Sequence, residues 1–196
     1  MSFKLNIIET ETPDHLGGHC NVSHTDEGTL DFLIETYDIK SMIDIGQGPG
    51  AMVKLARDKG LEANGIDGDP AVEADIRHDY SIGPYSLATG VDLAWSVEFL
   101  EHVDAEYLPN FMETFSGAKY IFCTGAKPGE LGHHHVNCQP AHYWISKFAE
   151  YGFVFDLHAT VHIRNEATTM NLDRPLKKQF VKRNGLFFIR EDLIQL

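Results

Sequence analysis

Basic residues are scarce in this 196-residue chain: 16 lysines and arginines stand against 29 aspartates and glutamates, a formal net charge of −13. A surface of that sign repels phosphate backbones, so no nucleic-acid partner is expected. Cysteine is also rare. Three residues (Cys20, Cys123, Cys138) cannot make a full disulfide framework, which fits a reducing, cytoplasmic setting. No apolar run is long enough to cross a bilayer, and the opening MSFKLNIIETETPD has no apolar signal core, so no membrane partner is expected. Internal repeats, low-complexity tracts and a GxxxxGK[ST] phosphate loop are missing as well. What is present in quantity is apolar: 43% of residues are hydrophobic, enough for a sizeable core, and the length suits one domain. Eleven histidines are unusual, and four of them fall between His133 and His142.

Short β-rich runs alternate with longer helical patterns, the signature of a parallel sheet with crossover helices. A helix after Thr25 carries Leu30, Leu33, Ile34 and Tyr37 on one face. Strands are predicted at Ser41–Ile45, Ala63–Ile66, Val91–Ser96, Lys119–Thr124, a long Phe153–His162 and Leu186–Arg190. Further helices are predicted over Ala51–Lys59, from Ala105 to Phe115, and from Pro140 to just before Gly152. Residues 1–24 are irregular and form an N-terminal flap or extension, with Gly17-Gly18 as a flexible point and Cys20 within it. The basic stretch Arg174–Arg183 is read as a solvated face.

The strand SMIDI runs straight into Gly46-Gln47-Gly48-Pro49-Gly50 and then a helix. Glycines there let a backbone pass close to a ligand, and the following helix start offers unpaired N–H groups. Asp67 ends the next strand 21 residues after Gly46, about the spacing at which an acid meets ribose hydroxyls. A nicotinamide dinucleotide loop is one reading of this arrangement. Asp44, near the strand end where such proteins are apolar, speaks against it.

IDIGQGPG followed by GIDGDP, then VDLAWSVEFLEHV, then Tyr151-Gly152-Phe153, together resemble the motifs of class I S-adenosylmethionine-dependent methyltransferases over about Thr25 to His162. The resemblance implies an α/β, Rossmann-like sheet of seven mostly parallel strands in the order 3-2-1-4-5-7-6, the last one antiparallel, with helices on both faces. Residues 25–196 would then be the methyltransferase domain. It also implies S-adenosylmethionine as cofactor. Gly46, Gly48 and Gly50 would line its methionine part, and Asp44 would reach its amino group. Asp67 would hold the ribose hydroxyls and Gly68 would let the adenosine approach. Asp79 would face the adenine amino group, with Asp75 as a competitor, and Ser96 and Val97 would pass beside the adenosine or the sulfur.

Glu98, Glu101 and His102 follow the strand VDLAWS at spacings that place them on one face of a helical turn. His133-His134-His135 follows the neighbouring strand. Glu98, Glu101, His102 and His135 are therefore expected to converge beside the methyl donor. One reading makes His102, His135 and Glu98 the catalytic group, a general base for a hydroxyl or amine, with no metal. Another, suggested by a resemblance to ubiquinone-pathway O-methyltransferases and small-RNA 2′-O-methyltransferases, makes the same side chains a divalent-cation site. The base reading is preferred here. A small-molecule acceptor is expected, because the chain lacks a large inserted substrate domain. A cofactor-binding protein that retains the fold without the chemistry is the remaining alternative.

Overall fold

The structure, a computed structural model, describes residues 12–168 and 179–194. The chain runs α1 (Glu27–Tyr37), β1 (Ser41–Ile45), α2 (Ala51–Asp58), β2 (Glu62–Asp67), β3 (Ile76–Arg77), β4 (Val91–Ser96), α3 (Leu108–Ser116), β5 (Ala118–Cys123), α4 (Ala141–Glu150), β6 (Phe153–Phe155), α5 (Leu157–Glu166), α6 (Phe180–Asn184) and β7 (Leu186–Arg190). The strands form one seven-stranded sheet in the order β3-β2-β1-β4-β5-β7-β6. β1 to β5 pair in parallel, and β7 runs antiparallel to both its neighbours. No helix among the described residues is long and apolar enough to cross a membrane.

The period-2 pleat divides the core between the two faces of the sheet. In β4, Leu93 and Trp95 point to one side, where they meet Leu30 and Leu33 of α1, Val53 of α2 and Ile163 of α5. Ala94 points to the other side, where Phe111 and Phe115 of α3 pack with Phe148 of α4 and Phe188 of β7. All these side chains are almost fully buried. Each contributes roughly 1.5–3 kcal/mol from burial if large. The order around β1 matters most for the site. β1 connects outward to β2 on one side and adjoins β4 on the other, so a crevice opens at the carboxyl ends of β1, β2 and β4.

Three local expectations are corrected. The long strand Phe153–His162 is a three-residue strand followed by α5. Asp156 caps that helix by accepting from the Ala159 N–H at 2.8 Å, and Ala159 and Ile163 are buried with an i, i+4 spacing that only a helix provides. The β-branched residues Thr160, Val161 and Ile163 give this segment the composition of a strand. β3, implied by the seven-strand order but assigned to no segment, has only two residues. Glu98, Glu101 and His102 do not share a helical turn: Glu98 has φ +56° and precedes a separate 3-10 turn, Leu100–His102. Of the basic stretch, Arg174 to Lys178 lies outside the described residues, while Lys182 and Arg183 belong to α6.

Candidate active site

β1 ends at Ile45, and the chain turns at once through Gly46 with φ +76°. A Cβ there would lie 2.5 Å from the Phe99 ring, so only glycine fits this left-handed position. Both the Gly46 and Gln47 N–H groups donate to the Ile66 carbonyl of β2. The buried Gln47 amide donates to the Glu73 carbonyl at 2.7 Å, tying the loop to the segment after β2. Asp67 completes the clamp: one carboxylate oxygen accepts the Gly48 N–H and the other the Asp69 N–H, each at 2.8 Å.

A cavity of about 400 Å³ opens over this loop. Asp44, Gly46, Gly48, Asp67, Gly68, Asp79, Val97, Glu98 and His102 all line it. Gly50, Ser96 and His135 do not. Gly50 caps α2, Ser96 is fully buried and donates to the Ile45 carbonyl at 2.9 Å, and His135 stands behind His102. Asp75 is also off the cavity, bound to Arg57 and to the Gly65 N–H. Asp44 is 4% exposed. Burial, reinforced by the negative charge of Asp67, pushes its carboxyl up to about 8.

Residues 12–24 cross the cavity mouth through pairings between distant segments. His15 meets Asp79 at 2.8 Å, His19 meets Asp69 at 2.9 Å, and the Thr12 hydroxyl donates to Asp69 at 2.9 Å. Burial alone would raise Asp69 and Asp79, but hydrogen bonds from the backbone and from these partners hold both below the usual carboxylate range. Gly18 approaches the His102 ring so closely that a Cβ would sit 2.7 Å from it. Gly18→Leu is therefore expected to displace the flap and at least halve the protection of residues 12–24 from limited proteolysis, with little change in melting temperature. Wild-type cleavage kinetics would overturn that contact. The Gly17-Gly18 pair and the flanking histidines were the only local signals for this arrangement.

Behind the cavity, Glu101, His102 and His135 bring one possible ligand atom each within 4.8 Å of one another. His102 Nδ1 faces the His133 carbonyl at 2.8 Å, and His135 Nδ1 faces the Glu130 carbonyl at 2.9 Å. A carbonyl only accepts, so both Nδ1 atoms carry a proton, and in the neutral His102 ring Nε2 keeps a lone pair. Glu101 is fully buried, and neither carboxylate oxygen has a hydrogen-bond partner of good geometry. Burial first, then the charge of Glu98, raises its carboxyl well above the usual range, with nearby N–H groups of Glu101 and Ala126 opposing only in part. Glu98 closes a small ring with Thr124, its N–H donating to the hydroxyl and the hydroxyl donating back to its carboxylate, both at 2.8 Å. Burial pushes Glu98 up to about 7. Burial, then the neighbouring His135, pushes His102 down to about 4.

No family model matches the sequence, and no curated protein is similar to it. Solved structures are similar in fold. The methyltransferase domain of bacterial CtHen1-CN is 17% identical with a TM-score of 0.51, covering 66% of this chain and 85% of that one. The sugar N-methyltransferase KedS8 from Streptoalloteichus is 10% identical with a TM-score of 0.55, covering 83% and 84%. The O-methyltransferase from a trans-AT PKS multienzyme of Brevibacillus brevis, in complex with S-adenosyl-L-homocysteine, is 14% identical with a TM-score of 0.54, covering 85% and 72%. Together with the strand order and the antiparallel β7, these likenesses define the class: the chain has the Rossmann-like fold of class I methyltransferases.

Proposed function

We propose that the protein is an S-adenosylmethionine-dependent methyltransferase acting on the hydroxyl or amine of a small molecule. The observation that carries this reading is the cavity at the carboxyl ends of β1, β2 and β4, where Asp44, the glycine loop and Asp67 meet the Glu-His turn. The group fits: a buried acid stands where an ammonium would bind, and an acid at the end of β2 stands where ribose hydroxyls would. Gly46 and Gly48 line the methionine end, Gly68 and Asp79 the nucleoside end. When bound, the cofactor supplies an electrophilic methyl group. The protein's own task is to align a nucleophile with it and to remove a proton. The nicotinamide alternative is disfavoured by topology, since the dinucleotide fold has the order 3-2-1-4-5-6 without the antiparallel insertion seen in β7. S-adenosylhomocysteine is expected to raise the melting temperature and NAD to leave it unchanged. The opposite pattern would overturn the assignment.

For proton removal, His102 and Glu98 are the residues that line the cavity. His102 is uncharged at neutral pH and offers Nε2, and Glu98 titrates near the operating pH. His135 supports His102 from behind, their ring centroids 5.0 Å apart. One observation favours a second reading of the same cluster, a divalent-cation site. Two imidazoles and the buried Glu101 carboxyl, which lacks a well-formed hydrogen bond, bring their ligand atoms together with no cationic side chain among them. Glu101, His102 and His135 would hold the ion, which would supply Lewis acidity toward an acceptor oxygen. Calorimetry with Mn²⁺ separates the readings. A cation site binds the ion and loses at least tenfold in affinity in Glu101→Gln. A base site shows no such binding, and its activity survives chelator.

A further inference from the structure

A second, smaller pocket of about 180 Å³ lies one residue beyond the Glu98–Thr124 ring, between the end of β5 and the start of β7. Its character is opposite to that of the chain. Lys127, Arg164 and Arg183 line it, and no carboxylate does so among the described residues, in a protein with a net charge of −13. Arg183 is engaged by Glu130 at the rim. Arg164 is not neutralised: its Nε donates to the Gly185 carbonyl at 2.9 Å, and no carboxylate pairs with its remaining donors among the described residues. A half-buried guanidinium left without a counter-charge is costly unless a ligand provides one.

Two further groups point to the same occupant. Trp144 is 2% exposed, and its indole N–H has no acceptor. That nitrogen lies beside Gly125, which forms part of the pocket wall. Asn184 is 6% exposed. It spends its amide N–H on the Gly125 carbonyl at 3.3 Å, and its Oδ1 has no donor. The pocket thus offers a cation fork for an oxyanion, and its wall holds two buried polar atoms without partners, the Trp144 N–H and the Asn184 Oδ1, within the lining residues.

We propose that this pocket binds an oxyanion that carries or adjoins a hydroxyl, a hydrogen phosphate or a hydroxycarboxylate, and that in the working enzyme this group belongs to the methyl acceptor. The second half rests on the methyltransferase reading; the first does not. The geometry suits the task. Thr124, bonded to Glu98 at the first cavity, is followed directly by Gly125 at the second, so the two sites adjoin along the backbone.

The chain has two tryptophans, Trp95 and Trp144, so a proton–nitrogen NMR spectrum contains two indole signals, assigned by Trp144→Phe. Titration with inorganic phosphate and, separately, with glycolate should move the Trp144 signal and leave that of Trp95 in place. The stronger of the two arms identifies the oxyanion. Arg164→Gln is expected to weaken the response at least tenfold and exposed Lys127→Gln severalfold, with S-adenosylhomocysteine affinity unchanged in both. If Arg164→Gln does not fold, Lys127→Gln carries the comparison. No shift at millimolar anion, or equal shifts in wild type and variants, would overturn the site. An anion response in a protein that does not bind S-adenosylhomocysteine would keep the pocket and overturn its assignment to a methyl acceptor.

Discussion

S-adenosylhomocysteine is expected to bind Asp67→Ala at least tenfold, and up to several hundredfold, more weakly than wild type. Under the proposed assignment Asp67 would accept two charge-assisted hydrogen bonds from ribose hydroxyls: at about 1.5 kcal/mol each, losing one costs roughly tenfold and losing both a little over a hundredfold. A second contribution comes from within the protein. The Asp67 carboxylate already accepts the N–H groups of Gly48 and Asp69, so its removal also loosens the glycine loop. Asp67→Asn keeps an acceptor oxygen and should fall between the two. Calorimetry on proteins of verified fold measures this directly. Affinity within twofold of wild type in a well-folded Asp67→Ala protein would remove the acid from the site.

The second large effect is a pH dependence centred on Asp44. Its folded-state value, about 8, lies above its ordinary value of 3.8. The folded protein therefore holds a proton that the unfolded chain has lost. The stability this provides is complete below about pH 4 and is lost progressively as pH rises toward 8. At about 1.4 kcal/mol per unit, one such group contributes up to about 5 kcal/mol across that window. Denaturant unfolding of Asp44→Asn should show a visibly flatter stability profile between pH 4 and 8, and superimposable profiles would refute the assignment. The cofactor's ammonium should reverse the effect by favouring the carboxylate. Binding of S-adenosylhomocysteine near pH 7 is then expected to release close to one proton, read as a dependence of binding heat on buffer ionisation, and to release none in Asp44→Asn.

The parts of the site that were legible in the sequence are those built locally. SMIDI running into Gly46-Gln47-Gly48 fixes a strand, a turn and a helix start within a few residues, and the structure places Asp44, Gly46, Gly48 and Asp67 around one cavity. The topology was legible through the resemblance, because strand order depends on long-range pairing that periodicity does not encode. What stayed hidden depends on contacts between distant residues. Nothing near His15 or His19 announces partners 64 and 50 residues away. Gln47 carries no local sign that its amide reaches the Glu73 carbonyl. Trp144 is core, and nothing local in the sequence signals that its buried indole N–H lacks an acceptor. α5 was missed because Thr160, Val161 and Ile163 favour strands intrinsically, while the cap at Asp156 and the packing of Ala159 and Ile163 decide the matter the other way.

Both outer strands of the sheet are short. β3 contributes two residues and β6 three, against five or six in each strand between them. A row of two or three residues is a poor template for another chain, although β3 pairs only with Ile66 and Asp67, so the rest of β2 forms the remainder of that margin. The aromatic-rich strands β5 and β7, which would assemble readily if uncovered, are both interior. Phe122, Phe187 and Phe188 thus lie on interior strands, and lengthening β6 with a flat apolar extension would be expected to turn the same protein toward fibrils.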